Sequence, residues 1–172
     1  MPVVRQEHRA IIPDPDGPAG GTGRARLTYD VAAERLSGIV GATAIELRVC
    51  SGGHRGATDP ARWRDTPESR DQTRVGGPIP WGRYTVVWLN DHVGERNRRA
   101  YGRCCFLHPD PETRARIDGF GRVWNDFLIH RPSPGGSEGC LIPIPHAAYD
   151  HLMDLLQAGE EEPVGTLVVP RL

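Results

Sequence analysis

Apolar and polar residues alternate along much of the chain, in short runs separated by turns. In the clearest run, residues 44–50, Ile45, Leu47 and Val49 lie on one face and charged residues on the other. A period of two is typical of a strand with one buried face. Runs of this kind, and denser runs of β-branched and aromatic residues, predict seven or eight strands, at 27–31, 34–37, 44–50, 83–89, 101–107, 123–130, 141–145 and 164–169.

A helical period occurs in one segment only. Pro145 suits the first position of a helix and Gly159 suits the residue after its end. The apolar residues between them that recur at helical spacing are Tyr149, Leu152, Met153, Leu155 and Leu156. Residues 112–117 fit one helical turn and a loop equally well. The pattern therefore predicts a mainly β fold with one well-defined helix.

Composition agrees with a single β-rich domain. The 172 residues can form one sizeable core, and the 21 glycines and 16 prolines predict many turns and few long helices. Residues 1–24 have no period and end in a segment rich in Pro, Gly and Asp, which predicts a flexible N-terminal arm. We therefore place the domain at residues 25–172.

Charge excludes some classes of protein. The chain has 21 basic residues, all of them arginine, and 22 acidic ones, so binding to nucleic acid through overall basicity is not expected. No apolar run is long enough to span a membrane. The N-terminus lacks a basic segment followed by an apolar core, which predicts synthesis in the cytoplasm without a Sec-type signal peptide.

Residues 127–143 contain two apolar runs, one that ends at a histidine and one that begins at a cysteine. The first run ends at His130, and a loop of Pro, Ser and Gly leads to Cys140, ten residues later. A chain reversal across that loop would bring the imidazole and the thiol within hydrogen-bond reach, so that the base could form the reactive thiolate. Gly139 allows a sharp turn and exposes backbone N–H groups to a developing oxyanion. Asp126 lies about 13 Å from His130 along a strand, so a backbone carbonyl is predicted to orient the imidazole.

These residues resemble the catalytic signature of the L,D-transpeptidase family. The shared features are a strand that ends in His130, a short Gly-containing loop, and Ser137-x-Gly139-Cys140 followed by aliphatic residues. Residues 77–84, Gly-Pro-Ile-Pro-Trp-Gly-Arg-Tyr, are also similar to a segment of a short-loop branch of the family. That branch includes type VI secretion effectors that attack the periplasmic cell wall of competing bacteria.

The resemblance covers residues 27–156 and implies a β-sandwich or barrel-like catalytic domain with one helix after the catalytic cysteine. It implies that the Cys140 thiolate attacks peptidoglycan stem peptides, with His130 as base and then acid, and with Ser137 and Gly139 in the same catalytic motif. The expected reactions are L,D-carboxypeptidase cleavage, L,D-transpeptidase crosslinking and exchange of a D-amino acid. No cofactor and no metal ion is expected.

Two positions depart from the wider family, which has His where this chain has Glu138 and often has Arg where it has Ile142. Arg131 could contact the substrate carboxylate instead, or it could be a solvent-exposed loop arginine. The branch, together with the missing signal peptide, implies delivery to the periplasm of a target cell by secretion machinery. An immunity protein would then be a further partner.

Two other interpretations stay open. The first is a non-enzymatic β-sandwich binding module with structural Cys and His, in which Trp81, Trp88 and Trp124 form the core or a ligand surface. The second is a zinc-binding domain. Its ligands would be drawn from Cys104, Cys105, His108, His130 and Cys140. In an oxidising compartment, a disulfide between Cys50 and either Cys104 or Cys105 is also possible.

Overall fold

A computed structural model describes five stretches of the chain, residues 24–52, 70–88, 101–132, 137–158 and 163–172. The arm predicted over residues 1–24 lies, apart from Arg24, outside the described residues. The same holds for Gly159, the predicted end of the helix, and for residues 133–136 of the loop that joins His130 to Cys140. No helix in the described part of the chain combines the length and apolar character needed to span a membrane.

Eight strands close into a barrel in the order β1-β2-β3-β7-β6-β5-β4-β8, with β8 pairing back onto β1. The mainly β prediction is therefore confirmed. The strands are β1 (Ala25–Asp30), β2 (Arg35–Val40), β3 (Thr43–Ser51), β4 (Gly82–Trp88), β5 (Cys105–Pro109), β6 (Leu128–Ile129), β7 (Leu141–Ile144) and β8 (Gly165–Val169).

Side-chain alternation along the strands separates the interior of the barrel from its outer face. In β1, every second residue is buried, and β2 and β3 continue the same antiparallel meander. The interior is filled by side chains from all around the barrel, as expected for eight strands. The largest fully buried ones include Tyr29, Leu36, Tyr84, Leu107, Phe127, Ile129, Leu141 and Leu152.

The strand predicted over residues 123–130 is wrong in its first half. The chain forms a 3-10 turn at Trp124–Asp126, and only Leu128–Ile129 is a strand. Asn125 adopts φ −92° and ψ 16°, a turn conformation that Asn tolerates well. The turn is held against the neighbouring helix, where the Arg114 guanidinium lies 4.0 Å above the Trp124 ring. Tertiary contact has therefore overridden the β propensity of this segment.

The strand predicted over residues 101–107 begins later and ends later than expected. Gly102 has φ +66°, which interrupts an extended chain, and β5 begins at Cys105. It continues through His108 to Pro109, whose partner across the sheet is Tyr84. Pro109 lies at the end of the strand, where its missing N–H costs little.

In the ranges that the structure describes, two helices flank the barrel. The segment 112–117, which fitted a helical turn and a loop equally well, belongs to helix α1 (Pro111–Gly119). Asp110 caps this helix by accepting the Thr113 N–H at 2.8 Å, and proline occupies the first turn. Helix α2 (His146–Gln157) follows Cys140, as predicted. It buries Tyr149, Leu152, Met153 and Leu156 against the barrel.

Candidate active site

His130 follows the end of one strand and Cys140 precedes the start of its parallel neighbour, so the two residues lie diagonally on either side of the Ile129–Leu141 pair. Strands β6 and β7 pair in parallel through Ile129 and Leu141, and the His130 N–H donates to the Leu141 carbonyl at 3.1 Å. Ile129 and Leu141 belong to the interior core. Since side chains alternate along a strand, the residue after Ile129 and the residue before Leu141 both face outward. The barrel wall therefore presents His130 and Cys140 on the same outer face.

Cys140 is half-buried at the rim of an apolar cluster on this face. The cluster consists of Val87, Cys104, Phe106 and Leu128, and Cys140 packs against its edge. An outward, partly accessible thiol on the same face as a histidine has the setting expected of a reactive cysteine, whereas structural cysteines are usually fully buried.

The His130 imidazole is buried and held in one orientation. Its Nδ1 lies 2.7 Å from the Arg131 carbonyl oxygen, and its ring lies edge-on to the Tyr101 ring at 4.8 Å between centroids. A carbonyl can only accept, so Nδ1 carries the proton and Nε2 is left with the lone pair. The predicted backbone carbonyl partner is confirmed, and it belongs to the next residue in the chain. Burial lowers the pKa of His130 to about 4, so the ring is neutral at pH 7 and can accept a proton.

Ser137 organises the turn before the nucleophile. Its hydroxyl donates to the Cys140 carbonyl at 2.7 Å and accepts the Gly139 N–H at 3.1 Å and the Gly52 N–H at 3.4 Å. Of the backbone N–H groups near Gly139 and Cys140 that were predicted to hold an oxyanion, that of Gly139 is already donated to Ser137 Oγ. Ser137 and Gly139 shape the turn that presents Cys140.

Backbone freedom at Gly139 is essential to this turn. Its φ of +121° is rarely adopted by other residues, and an added Cβ would lie 2.4 Å from the Phe127 ring. The Gly139 carbonyl accepts the Ser51 hydroxyl at 2.9 Å, and the same hydroxyl accepts the Ile79 N–H at 2.9 Å. Ser51, at the end of β3, therefore joins the nucleophile turn to the segment 77–82.

The Pro- and Gly-rich segment 77–82 is part of the support for this turn. It packs so closely against β3 that a Cβ on Gly52 would lie 2.4 Å from the Pro78 nitrogen. The Pro78 carbonyl accepts from the side chain of Arg122, a residue that lies just after helix α1. The Pro- and Gly-rich motif at residues 77–82 therefore has a structural role, which is to support the nucleophile turn.

Sequence reasoning missed Arg122 entirely. Its side chain is only 5% exposed, and it donates to four main-chain carbonyls at 2.7 to 3.0 Å. Those carbonyls belong to Gln72, Gly77, Pro78 and Glu138. In the sequence, Arg122 lies between Gly121 and Val123 and has the features of an ordinary loop residue. Only the fold brings the four carbonyls around it. Ser51 was missed as well, because in the sequence it is only the residue that follows the predicted strand 44–50.

Arg131, the predicted contact for a substrate carboxylate, is half-buried beside the histidine. Its N–H donates to the Tyr101 carbonyl at 3.1 Å, and its aliphatic stem lies against Gly102. A cavity of about 590 Å³ lies next to Ser51 and Gly52, and neither His130 nor Cys140 lines it. Its other lining residues include Glu34, Arg48, Cys50 and Arg70.

The four cysteines, all among the described residues, are free thiols. Two strands, β7 and β6, separate Cys50 on β3 from Cys105 on β5, which is about 14 Å across the sheet at the usual strand spacing. That distance exceeds disulfide reach, so the possible Cys50–Cys105 bond is absent from this fold. Burial raises the pKa of Cys50 to about 12 and that of Cys104 to about 11, which keeps both thiols protonated.

The zinc interpretation gains no support in the described ranges, which hold no group of three or more His, Cys, Asp or Glu placed to bind a metal ion. The five candidate ligands are divided by the barrel wall. Cys105 belongs to the interior core, whereas Cys104 belongs to the outer cluster and His108 packs edge-on to Trp124.

The fold is similar to that of known structures, at low sequence identity. Bd1075 of Bdellovibrio bacteriovorus matches with a TM-score of 0.51 and 14% identity, over 86% of this chain and 47% of that one. An L,D-transpeptidase from Mycobacterium tuberculosis H37Rv matches with a TM-score of 0.48 and 9% identity, over 86% of this chain and 58% of that one. An L,D-transpeptidase from Mycobacterium smegmatis matches with a TM-score of 0.43 and 11% identity, over 86% and 59%.

This chain thus spans about half the length of the structures that it matches. No protein-family model matches the sequence, and no curated protein does. The similarity to Bd1075 shows a shared fold.

Proposed function

We propose that this chain is a cysteine enzyme of the L,D-transpeptidase type, which transfers acyl groups of peptidoglycan stem peptides. One observation carries the proposal: His130 is buried and neutral with Nδ1 bonded to a carbonyl, on the same outer face as the half-buried thiol of Cys140. This pairing fits a nucleophile and a general base. The resemblance of Ser137-x-Gly139-Cys140 to the family signature suggests the substrate.

The reaction would proceed through a thioester. His130 Nε2 takes the thiol proton, and Cys140 Sγ attacks the carbonyl of the diamino-acid residue in a stem tetrapeptide. The tetrahedral intermediate collapses with cleavage of the peptide bond, and the imidazolium returns its proton to the departing amine of D-alanine. Water then hydrolyses the thioester in a carboxypeptidase reaction, or an amine attacks it in a transpeptidase or exchange reaction. In this scheme Arg131, beside the base, contacts the substrate carboxylate.

The direct test is mass spectrometry of purified peptidoglycan tetrapeptides incubated with the protein. The wild type should release D-alanine and leave tripeptides or crosslinked and exchanged products. Cys140→Ala should abolish these products, and His130→Asn should reduce them at least about a hundredfold. Cys50→Ala, which removes a buried thiol outside the site, is the matched control and should retain activity. Tetrapeptides left intact by the wild type would refute the proposal.

A finer proposal is that the enzyme acts as an antibacterial effector, delivered to the periplasm of a target cell and neutralised by an immunity protein. The similarity of residues 77–84 to the effector branch motivates it. Expression with a periplasmic signal sequence in a Gram-negative host should then arrest growth, whereas cytoplasmic expression and periplasmic Cys140→Ala should not. Equal growth in all three cultures would contradict the effector role and leave the enzymatic one standing.

A further inference from the structure

A buried guanidinium lies directly behind the nucleophile turn. Arg122 Nη1 donates to the carbonyls of Gln72 and Pro78, and Nη2 donates to those of Gly77 and Glu138. In the part of the chain that the structure describes, no carboxylate lies within salt-bridge distance of it. Four carbonyls solvate the charge without neutralising it. Arg122 is therefore a fixed positive charge, at a depth where an unpaired charge is costly.

The position of this charge is tied to Cys140. Nη2 bonds the carbonyl of Glu138, two residues before the nucleophile, at 3.0 Å. A Cβ added to Gly139 would lie 2.8 Å from the same nitrogen, so the turn rests on the guanidinium. The Phe127 ring, whose centroid lies 5.2 Å from Cζ, packs against both the guanidinium and the turn at Gly139. The charge cannot move away from the turn without breaking these contacts.

Electrostatics couple the two groups. Burial lowers the pKa of Arg122 to about 10, which leaves it protonated at pH 7. Negative charge on Tyr84, Asp71, Glu138 and, to the smallest extent, Cys140 acts in the opposite direction by favouring the charged guanidinium. Coupling between two charges is reciprocal, so the guanidinium must favour the thiolate to the same extent. Low dielectric around a buried group strengthens this attraction.

Among the described groups, Arg131 is a second cation in this region, but it lies beside His130, whereas Arg122 contacts the nucleophile turn itself. His130 is neutral at pH 7 because burial lowers its pKa to about 4. Cys104, in the adjoining cluster, has a pKa raised to about 11 and is protonated. Glu138 is exposed and opposes the thiolate, and Arg131 is half-buried beside the histidine. The Tyr101 ring covers the imidazole.

We propose that Arg122 is an electrostatic positioning residue, which ties the turn 138–140 to the segment 77–78 and stabilises the Cys140 thiolate through its buried charge. The proposal rests on Cys140 being the nucleophile, as in the proposed function, and is independent of the substrate. The positive charge that stabilises the thiolate then belongs to a buried side chain and does not depend on protonation of His130. The neutral imidazole then remains available to transfer protons.

The experiment is the pH dependence of Cys140 alkylation by iodoacetamide, with the other three cysteines replaced by alanine or serine. Arg122→Gln should raise the midpoint of this profile by about one pKa unit or more, which is at least a tenfold slower reaction at pH 7. Arg122→Lys keeps the charge but cannot make all four hydrogen bonds. It should lower the melting temperature and leave the midpoint within about 0.3 units of the wild type.

Arg116→Gln is the matched control, because Arg116 also donates to a main-chain carbonyl, that of Trp81, away from Cys140. Its profile should coincide with that of the parent. An Arg122→Gln protein that stays folded with an unshifted midpoint would overturn the electrostatic role. If Arg122→Gln does not fold, Arg122→Lys decides, because a midpoint raised by a full unit despite the retained charge would reduce Arg122 to a structural clamp. Because alkylation needs no peptide, these outcomes are separate from any failure on peptidoglycan.

Discussion

The burial of His130 makes a quantitative prediction about stability in mild acid. Its imidazole is 1% exposed and its pKa is lowered to about 4, against 6.5 for an exposed histidine. Between these two values the unfolded chain binds a proton that the folded chain excludes. The free energy of unfolding should therefore be fully retained above pH 6.5 and fall as the pH decreases toward 4.

The size of the effect follows from the two pKa values. Between about pH 7.5 and about pH 5.0, this one histidine should lower the free energy of unfolding by about 2 kcal/mol. Other groups also titrate in this range, but their contribution is shared by any variant that changes only His130. His130→Asn preserves a donor near the Nδ1 position for the Arg131 carbonyl and removes the titrating ring.

The assay is urea unfolding of the wild type and of His130→Asn at both pH values. The loss of stability on acidification should be about 2 kcal/mol smaller in the variant. His151→Asn, which removes an exposed imidazole from helix α2, is the control and should parallel the wild type. Equal losses in the wild type and in His130→Asn would refute the reasoning, since they would mean that folding does not perturb the His130 imidazole.

Three further experiments test other parts of the site and its surroundings. In urea titration, Gly139→Ala should lower the free energy of unfolding by about 3 kcal/mol, because its φ of +121° is strained for alanine and the added Cβ clashes with Phe127. Gly119→Ala is the control: the space around Gly119 is open, so its free energy of unfolding should stay within about 0.5 kcal/mol of the wild type. Iodoacetamide should add one label to the native protein, on Cys140, and four after unfolding, because the other three thiols are buried; rapid native labelling at a second site, read by mass spectrometry, would contradict this. Arg103→Ala removes an exposed ion pair with Asp154 and should change the melting temperature by only a few degrees, equivalent to less than about 1 kcal/mol.

Local patterns in the sequence were enough to predict most of the barrel. The alternation of Ile45, Leu47 and Val49 located β3, and the helical spacing after Pro145 located α2. Such signals work because a strand with one buried face and an amphipathic helix both have a period that survives in any tertiary context. The same reasoning failed at residues 123–126, where a turn packs against helix α1 and its β propensity is overridden.

The sequence by itself determined the parts of the site that lie close together along the chain. His130, Cys140 and the Ser137-x-Gly139 turn form one contiguous segment. The carbonyl partner of His130 was predicted from an extended strand over 126–130, of which only Leu128–Ile129 is a strand in the fold. Only the tertiary structure decided what surrounds them. Ser51 and Arg122 reach the turn from other parts of the chain, 88 residues away from Gly139 and 16 residues away from Glu138, and neither belongs to a periodic pattern. Hydrogen bonds to main-chain carbonyls leave no trace in the sequence, because every residue has a carbonyl and only the fold selects which ones converge on a buried charge.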